Sequence, residues 1–323
     1  MVNYKLDIKD RKILYELEIN ARQSCSQIAK KVGLLKESVN YRIKKLEREK
    51  IIEYYTTVVD YVRLGYLFCR MWFKYLDVSK NIENKMIKFA RENPNISWIA
   101  IGDGEFNMAI VYLVKNLNMI EEDFDNFKYI FGRYIKNIFP SIAFKIYHFK
   151  HTYLYNNEDR NPIIVGGASK NVQIDSIDAA ILKEFVRNPK VSYIQLSKIL
   201  KVSERTVSSR VNNLIKRQVI GQFKVKINVN KLGYEHQKVF LYLKNLTREN
   251  MQKLISYLRY EPRIIFITKA FGVADLEFEI VVRGKKELFE FVRKLRSEFP
   301  KLISDYESFL LYSEPFTEYL SLL

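Results

Sequence analysis

The chain has 323 residues, 48% hydrophobic and 28% charged, a globular composition with material for two or more domains rather than a disordered or fibrous one. Its net charge of +17 is uneven: residues 172–234 hold 12 cations against 4 anions, whereas 235–323 hold 14 against 13, so the dense positive stretch points to a polyanionic partner. Two cysteines, Cys25 and Cys69, give no disulfide framework and no metal spacing, and no apolar run approaches the length of a bilayer span.

In chain order, the first twelve residues, MVNYKLDIKDRK, are charged and have no apolar signal core, so the expected location is cytoplasmic. Asp7 stands as an N-cap before a helix that carries Ile13, Leu14 and Leu17 inward. Ser24-x-x-Gln27 has capping-box spacing and opens a second helix with Ile28, Ala29 and Val32 on its apolar face. A third helix follows with Val39, Ile43 and Leu46 in one stripe. Residues 51–59, rich in β-branched and aromatic types, read as the hairpin of a wing. Strand, helix, strand, strand, helix, strand then fall near 67–76, 82–92, 95–101, 106–114, 118–136 and 141–150. The stretch 156–171 (NNEDRNPIIVGGASKN) is polar, with a proline and a glycine pair, and reads as a linker.

Beyond it the pattern repeats. A shift of 168 residues lays Asp7 on Asp175, Ser24 on Ser192, Val39, Ile43 and Leu46 on Val207, Val211 and Leu214, Leu64-Gly65-Tyr66 on Leu232-Gly233-Tyr234, and Gly104 on Gly272. The third helix of this copy has Ser203 at its N-cap. Opposite its apolar stripe stand Arg205, Thr206, Ser209, Asn212 and Asn213, short or forked donors and acceptors that suit base edges in a major groove. Residues 219–229 repeat the wing. Strands and helices near 237–244, 249–260, 263–270, 275–282, 285–298 and 303–312 repeat the βαββαβ order, and Leu276, Phe278, Ile280 and Val282 alternate as in a sheet with one covered face. The domains expected are therefore 1–60, 61–155, the linker 156–171, 172–230 and 231–323. The fold class is α+β, two winged helix-turn-helix domains alternating with two ferredoxin-like βαββαβ domains.

Taken together, Asp-x-x-Asp, Ile-Leu, Ser-x-x-Gln, Ser/Thr-Val-x-x-Arg and Leu-Gly-Tyr, each present twice, resemble the Lrp/AsnC family of feast/famine transcription regulators. The resemblance covers nearly the whole chain and implies a tandem duplication of that family's DNA-binding domain and its RAM (ACT-like) domain. Its base-facing positions fall on Glu37, Ser38, Tyr41 and Lys44 and on Arg205, Thr206, Ser209 and Asn212, with Lys36, Lys45 and Asn213 beside them. Arg42 and Arg210 lie at the flank of the stripe, as phosphate contacts or as salt bridges to the first helix. Ser24 and Ser192 open helices whose N-termini suit a phosphate. For an amino-acid effector the family's loop falls on Gly104 and Asn107 in the first copy and on Gly272 and Asp275 in the second, where a carboxylate suits an ammonium better than an amide does. Two departures stand out. Lys50 and Gln218 occupy the place of a helix-ending glycine, and Leu35 takes the place of a polar N-cap.

The implied partners are double-stranded DNA and a small effector, with the RAM copies joined within one molecule as a pseudo-dimer or associating further. No cofactor or metal is expected: His148-x-x-His151 fits zinc spacing poorly and has no third ligand nearby in sequence. The row Asp275, Glu277 and Glu279 reads as carboxylates paired with cations on a neighbouring strand. The competing reading is an enzyme. Siroheme decarboxylases resemble the same family but carry a basic Arg-Arg-Phe-Gly-type stretch in the wing, where this chain has Glu53-Tyr54-Tyr55-Thr56 and Gly221-Gln222-Phe223-Lys224. A third reading is a ligand-sensing assembly module without DNA binding.

Overall fold

A computed structural model of the protein describes residues 4–155, 159–167 and 171–317. The first copy begins with α1 (Ile8–Ile19), α2 (Cys25–Val32), α3 (Lys36–Arg48) and β1 (Ile52–Val59). It continues with β2 (Leu67–Tyr75), α4 (Lys80–Arg91), β3 (Ile96–Gly104), β4 (Met108–Val114), α5 (Asn118–Phe131) and β5 (Ile135–His148). After β6 (Ile163–Gly166) the second copy runs α6 (Ser176–Arg187), α7 (Tyr193–Leu200), α8 (Glu204–Lys216) and β7 (Ile220–Ile227). Its second part is β8 (Glu235–Leu243), α9 (Arg248–Tyr260), β9 (Ile264–Phe271), β10 (Leu276–Val282), α10 (Lys285–Glu298) and β11 (Ile303–Thr317).

The caps fall where the sequence puts them. Asp7 accepts the Asp10 amide and Asp175 the amides of Ile177 and Asp178, while Ser24 and Ser192 close capping boxes with Gln27 and Gln195. Each of these satisfies amides that a helix start leaves open. The wings differ from expectation. Neither copy folds a hairpin of its own; each contributes one strand, and β1 pairs antiparallel with β7 across the copies, Tyr55 opposite Val225 and Thr57 opposite Phe223. The reason is visible in the burial. Ile52, Val59, Ile220, Phe223, Val225 and Ile227 are all buried, too many apolar groups for a ribbon standing in solvent, and they join one core built from both helical triplets.

That seam is pinned by equivalent cations. Arg22 and Lys190 lie 168 residues apart. Arg22 sits 5.1 Å from the Phe223 ring centre and donates to Pro189 O and Val191 O, while Lys190 sits 3.4 Å from the Tyr55 ring centre. Tyr55 and Phe223 are themselves 168 apart, so each copy lays its cation on the other's aromatic ring.

Each βαββαβ part forms a four-stranded sheet, in the orders β5-β2-β4-β3 and β11-β8-β10-β9. Their edges then meet: β3 pairs with β11, and β9 with β5, so the eight strands close into a barrel. Closure removes the edges that an open sheet would present. Helices α4 and α5 cover the outer face of the first sheet, burying Met86, Ala90, Ile120 and Phe127, and α9 and α10 cover the second, burying Leu254, Leu258, Val292 and Leu295. Inside, Trp72, Phe106, Phe240 and Phe309 meet from both copies. The stretch 156–171, expected as a linker, holds the strand β6 because Ile163, Ile164 and Val165 favour extended backbone; it takes over pairing with β5 where β2 leaves off. Arg160 ties this stretch to the second copy through the carbonyls of Arg259, Glu261 and Ile264. Residues 156–158 and 168–170 lie outside the described residues.

The pseudo-symmetry breaks in the barrel interior. Arg70 and Lys238 are equivalent positions, and both reach Glu277: the Arg70 guanidinium forks onto it at 2.6 and 2.7 Å, and Lys238 Nζ lies at 3.0 Å. The counterpart of Glu277 in the first copy is Ala109. Lys238 also meets Glu279 at 3.1 Å, and the Glu279 carboxylate accepts from His236 Nε2 at 2.8 Å. The expected pairing with cations therefore holds for Glu277 and Glu279, with one cation coming from the other copy, whereas Asp275 accepts the Leu243 amide instead. Burial alone would raise the Glu277 carboxyl, but Arg70 and Lys238 outweigh it and hold it below the usual range.

Candidate nucleic-acid interface

The two third helices present their polar faces outward. On α3, Lys36, Glu37, Tyr41 and Lys44 are exposed, Tyr41 by 64%, while Ser38 and Lys45 are half-buried. Lys45 lies over the Tyr4 ring at 5.8 Å. On α8, Arg205, Ser209, Asn212 and Asn213 are exposed, and Thr206 is half-buried. The buried stripes are Val39, Ile43 and Leu46 and, in the second copy, Val207, Val211 and Leu214. One sequence pattern thus fixes which side chains point to solvent.

The starts of these helices differ. Ser203 accepts the Thr206 amide at 3.0 Å, and its hydroxyl meets the Thr206 hydroxyl at 2.8 Å. That contact engages Thr206 locally. Leu35 makes no side-chain cap, and its side chain is 74% exposed at the mouth of α3. An amide there remains open to another acceptor.

Arg42 and Arg210 both make the salt bridge to the first helix. Arg42 reaches Asp7 at 2.6 Å and Asp10 at 2.7 Å; Arg210 reaches Asp175 at 2.6 Å and Asp178 at 3.4 Å. Each ties a third helix to the start of a first helix. Burial opposes ionisation of Asp7, but the Asp10 amide and Arg42 overcome it and the carboxyl sits low. The Asp178 amide and Arg210 lower Asp175 in the same way. The hydroxyls of Ser24 and Ser192 accept the amides of Gln27 and Gln195, and Ser192 also donates to Gln195 Oε1.

In the barrel, the two expected effector loops lie at the seams between the copies. Gly104 and Gly272 have φ of 124° and 122°. A Cβ on Gly104 would stand 2.1 Å from Ser308 O, and one on Gly272 2.3 Å from Pro140 O, so only glycine fits either place. Asn107 Oδ1 accepts the Tyr75 amide at 3.0 Å, and Asp275 Oδ2 accepts the Leu243 amide at 2.7 Å. The amide and the carboxylate do the same backbone work here.

Sequence reasoning missed a buried polar cluster under the wings. Glu18 of α1 accepts the His151 amide at 2.8 Å and lies 3.4 Å from Lys224 of β7. Burial pushes the Glu18 carboxyl up, opposed by Lys224, and burial beside Lys224 and Lys226 drives His151 well below its usual value. His148, three residues earlier, packs edge-on against Phe266 instead. The signal available was Glu18, a charge on the same face of α1 as Leu14 and Leu17.

Comparison with known proteins bears on the two helical units and on the fold. Residues 6–47 match the profile of the AsnC-type helix-turn-helix domain, and residues 174–220 that of a winged helix-turn-helix DNA-binding domain. An uncharacterised HTH-type transcriptional regulator of Pyrococcus abyssi is 32% identical over 124 residues, 38% of this chain and 77% of that protein. One from Pyrococcus horikoshii is 31% identical over the same shares. Among solved structures, the siroheme decarboxylase NirDL superposes over 97% of this chain and 94% of its own with a TM-score of 0.60 at 14% identity, a likeness of fold.

Proposed function

The chain belongs to the Lrp/AsnC family of transcription regulators, and from that premise we propose that one molecule reads two dissimilar DNA half-sites through α3 and α8. The observation that carries the reading is the pair of exposed and chemically unlike helix faces, held on one body by the β1–β7 pairing and the closed barrel. Arg205, Ser209, Asn212 and Asn213 offer a guanidinium, a hydroxyl and amides, of which Arg suits guanine and Asn suits adenine. Glu37, Tyr41 and Lys44 offer an anion, a ring and a cation. The second copy's helical region also carries more positive charge, so α8 contributes more of the affinity. Lys36, Lys45 and the hydroxyls of Ser24 and Ser192 take backbone phosphates. Arg42 and Arg210 hold the reading helices in place through helix 1.

We read the chain as a binding protein working with DNA inside the cell, with an amino-acid-like effector met at the Gly272–Asp275 loop more readily than at Gly104 and Asn107. Because Gly272 rests on Pro140 of the other copy, an effector there acts on the seam between copies. The enzyme reading rests on the NirDL-like fold, and the wing sequences at 53–56 and 221–224 speak against it.

The deciding experiment is selection of bound duplexes from a random pool, with the mass of the complex measured and the binding repeated with added amino acids. Two different half-sites about one helical turn or a multiple apart, bound by one chain, are expected. Affinity falls steeply with salt as counterions are released. A perfect palindrome bound by two chains, each through α8 alone, would overturn the two-reader arrangement; absence of duplex binding would overturn the function.

A further inference from the structure

Two helices on opposite outer faces of the barrel, α5 and α10, carry opposite charge. Helix α5 has one lysine against four carboxylates, and α10 has five cations against three carboxylates. At positions 168 apart, the first copy has Leu76, Glu121 and Asp125 where the second has Lys244, Phe289 and Arg293. On the second face a groove of about 620 Å³ runs between α10 and β11, lined by Lys244, Arg293, Arg296, Phe289 and Tyr306 and by no carboxylate. Arg296 donates to the Ser304 carbonyl at 3.1 Å, which holds it at the groove. Among the described residues, Lys244 and Arg293 have no ion-pair partner, and neither have Glu121, Glu122 and Asp125 on the opposite face. Beside those carboxylates, Met119, Tyr129 and Ile130 are exposed, Tyr129 by 81%.

We propose that the α5 face of one chain docks in the α10 groove of a second chain. The acidic and apolar side chains of α5 complement a groove of cations with Phe289 and Tyr306 at its walls, a helix-in-groove contact in which charge sets the partner and the register. The two faces lie on opposite sides of the barrel, so each chain carries one donor face and one acceptor face. Contacts of this kind are heterologous and build rings or open chains, not closed two-fold pairs.

The test uses the full chain, free of DNA, in sedimentation equilibrium. Raising the salt from about 0.05 to about 0.5 M should weaken self-association by about tenfold or more, because the charges that drive it are exposed. The variants Arg293→Ala/Arg296→Ala and Glu121→Gln/Glu122→Gln/Asp125→Asn should each stay as single chains, with unchanged circular dichroism. Mixed in equal amounts they retain one intact donor and one intact acceptor, and should form a two-chain complex that grows no further. The proposal is overturned by a wild-type chain that stays single at low salt, by association indifferent to salt, by either variant associating like the wild type, or by a mixture that does not combine. Saturable binding of inorganic pyrophosphate by Arg293 and Arg296 with the chains remaining apart would assign the groove to small anions, and would overturn it equally.

Discussion

Arginines at matching places in one helix take different parts here, and the difference is measurable. Arg205 projects from α8 into solvent, whereas Arg210, one turn and a half further on, is held by Asp175 and Asp178. Arg205→Ala should relax preference at one base position and cost about 1–3 kcal/mol of specific binding. Arg210→Ala should weaken all duplexes alike and lower the thermal midpoint of the free protein, which Arg205→Ala leaves alone. Equal loss of stability in both variants would remove the distinction. A second residue carries a pH signature. His151 is buried beside Lys224 and Lys226, so the folded protein keeps it neutral while the unfolded chain protonates near pH 6.5. Its pKa is lowered by folding, so the unfolded state binds more protons below that pH. Stability is then full above pH 6.5 and falls by about 1.4 kcal/mol for each unit below it. Urea unfolding of the wild type and His151→Gln at pH 7 and 5.5 should show the steeper fall in the wild type, and parallel curves would refute it.

At the scale of elements, the places where a helix ends show strain that a sequence reader can see. Lys50 and Gln218 have φ of 56° and 58°, the left-handed backbone that glycine adopts without cost. Lys50→Gly should raise unfolding stability by about 1 kcal/mol. Gln218→Gly should gain less, since Gln218 accepts from the Arg63 guanidinium at 2.6 Å and that bond would go. A loss of stability in Lys50→Gly would show that the left-handed turn is not strained. The caps, the three-helix units, the βαββαβ order and the exposed faces of α3 and α8 were legible because periodicity and capping chemistry are local. What was not legible is non-local. Residues 51–59 have the composition of a wing strand whether their partner is six residues away or 168, and nothing in the chain states that β1 pairs with β7. The start of β5 at Ile135, ahead of the expected 141, has the same cause: the strand is long because it serves β2 along one half and β9 along the other. Arg42 and Arg210 could be placed at a flank, but their ion pairs with Asp7 and Asp175 depend on how the first and third helices pack, which the sequence does not state.

For the whole molecule, the interior of the barrel decides which halves belong together. Removing Glu277 leaves Arg70 buried without its carboxylate and Lys238 with Glu279 alone, so Glu277→Ala should cost about 3–5 kcal/mol in chemical unfolding. Adding Arg70→Met to that variant should restore part of the loss, because it removes the stranded charge. No recovery in the double variant would mean that the cation was not the source of the penalty. The same residue bears on descent. A barrel made from two first halves would seal in two copies of Arg70 facing two copies of Ala109, and one made from two second halves would crowd two Glu277 and two Glu279 around a pair of lysines. Neither half can any longer stand in for the other. With the carboxylate for both cations in one copy, a single unit paired with a second copy of itself would seal in unmatched charge, so the duplicated chain is not reducible to either half without that cost.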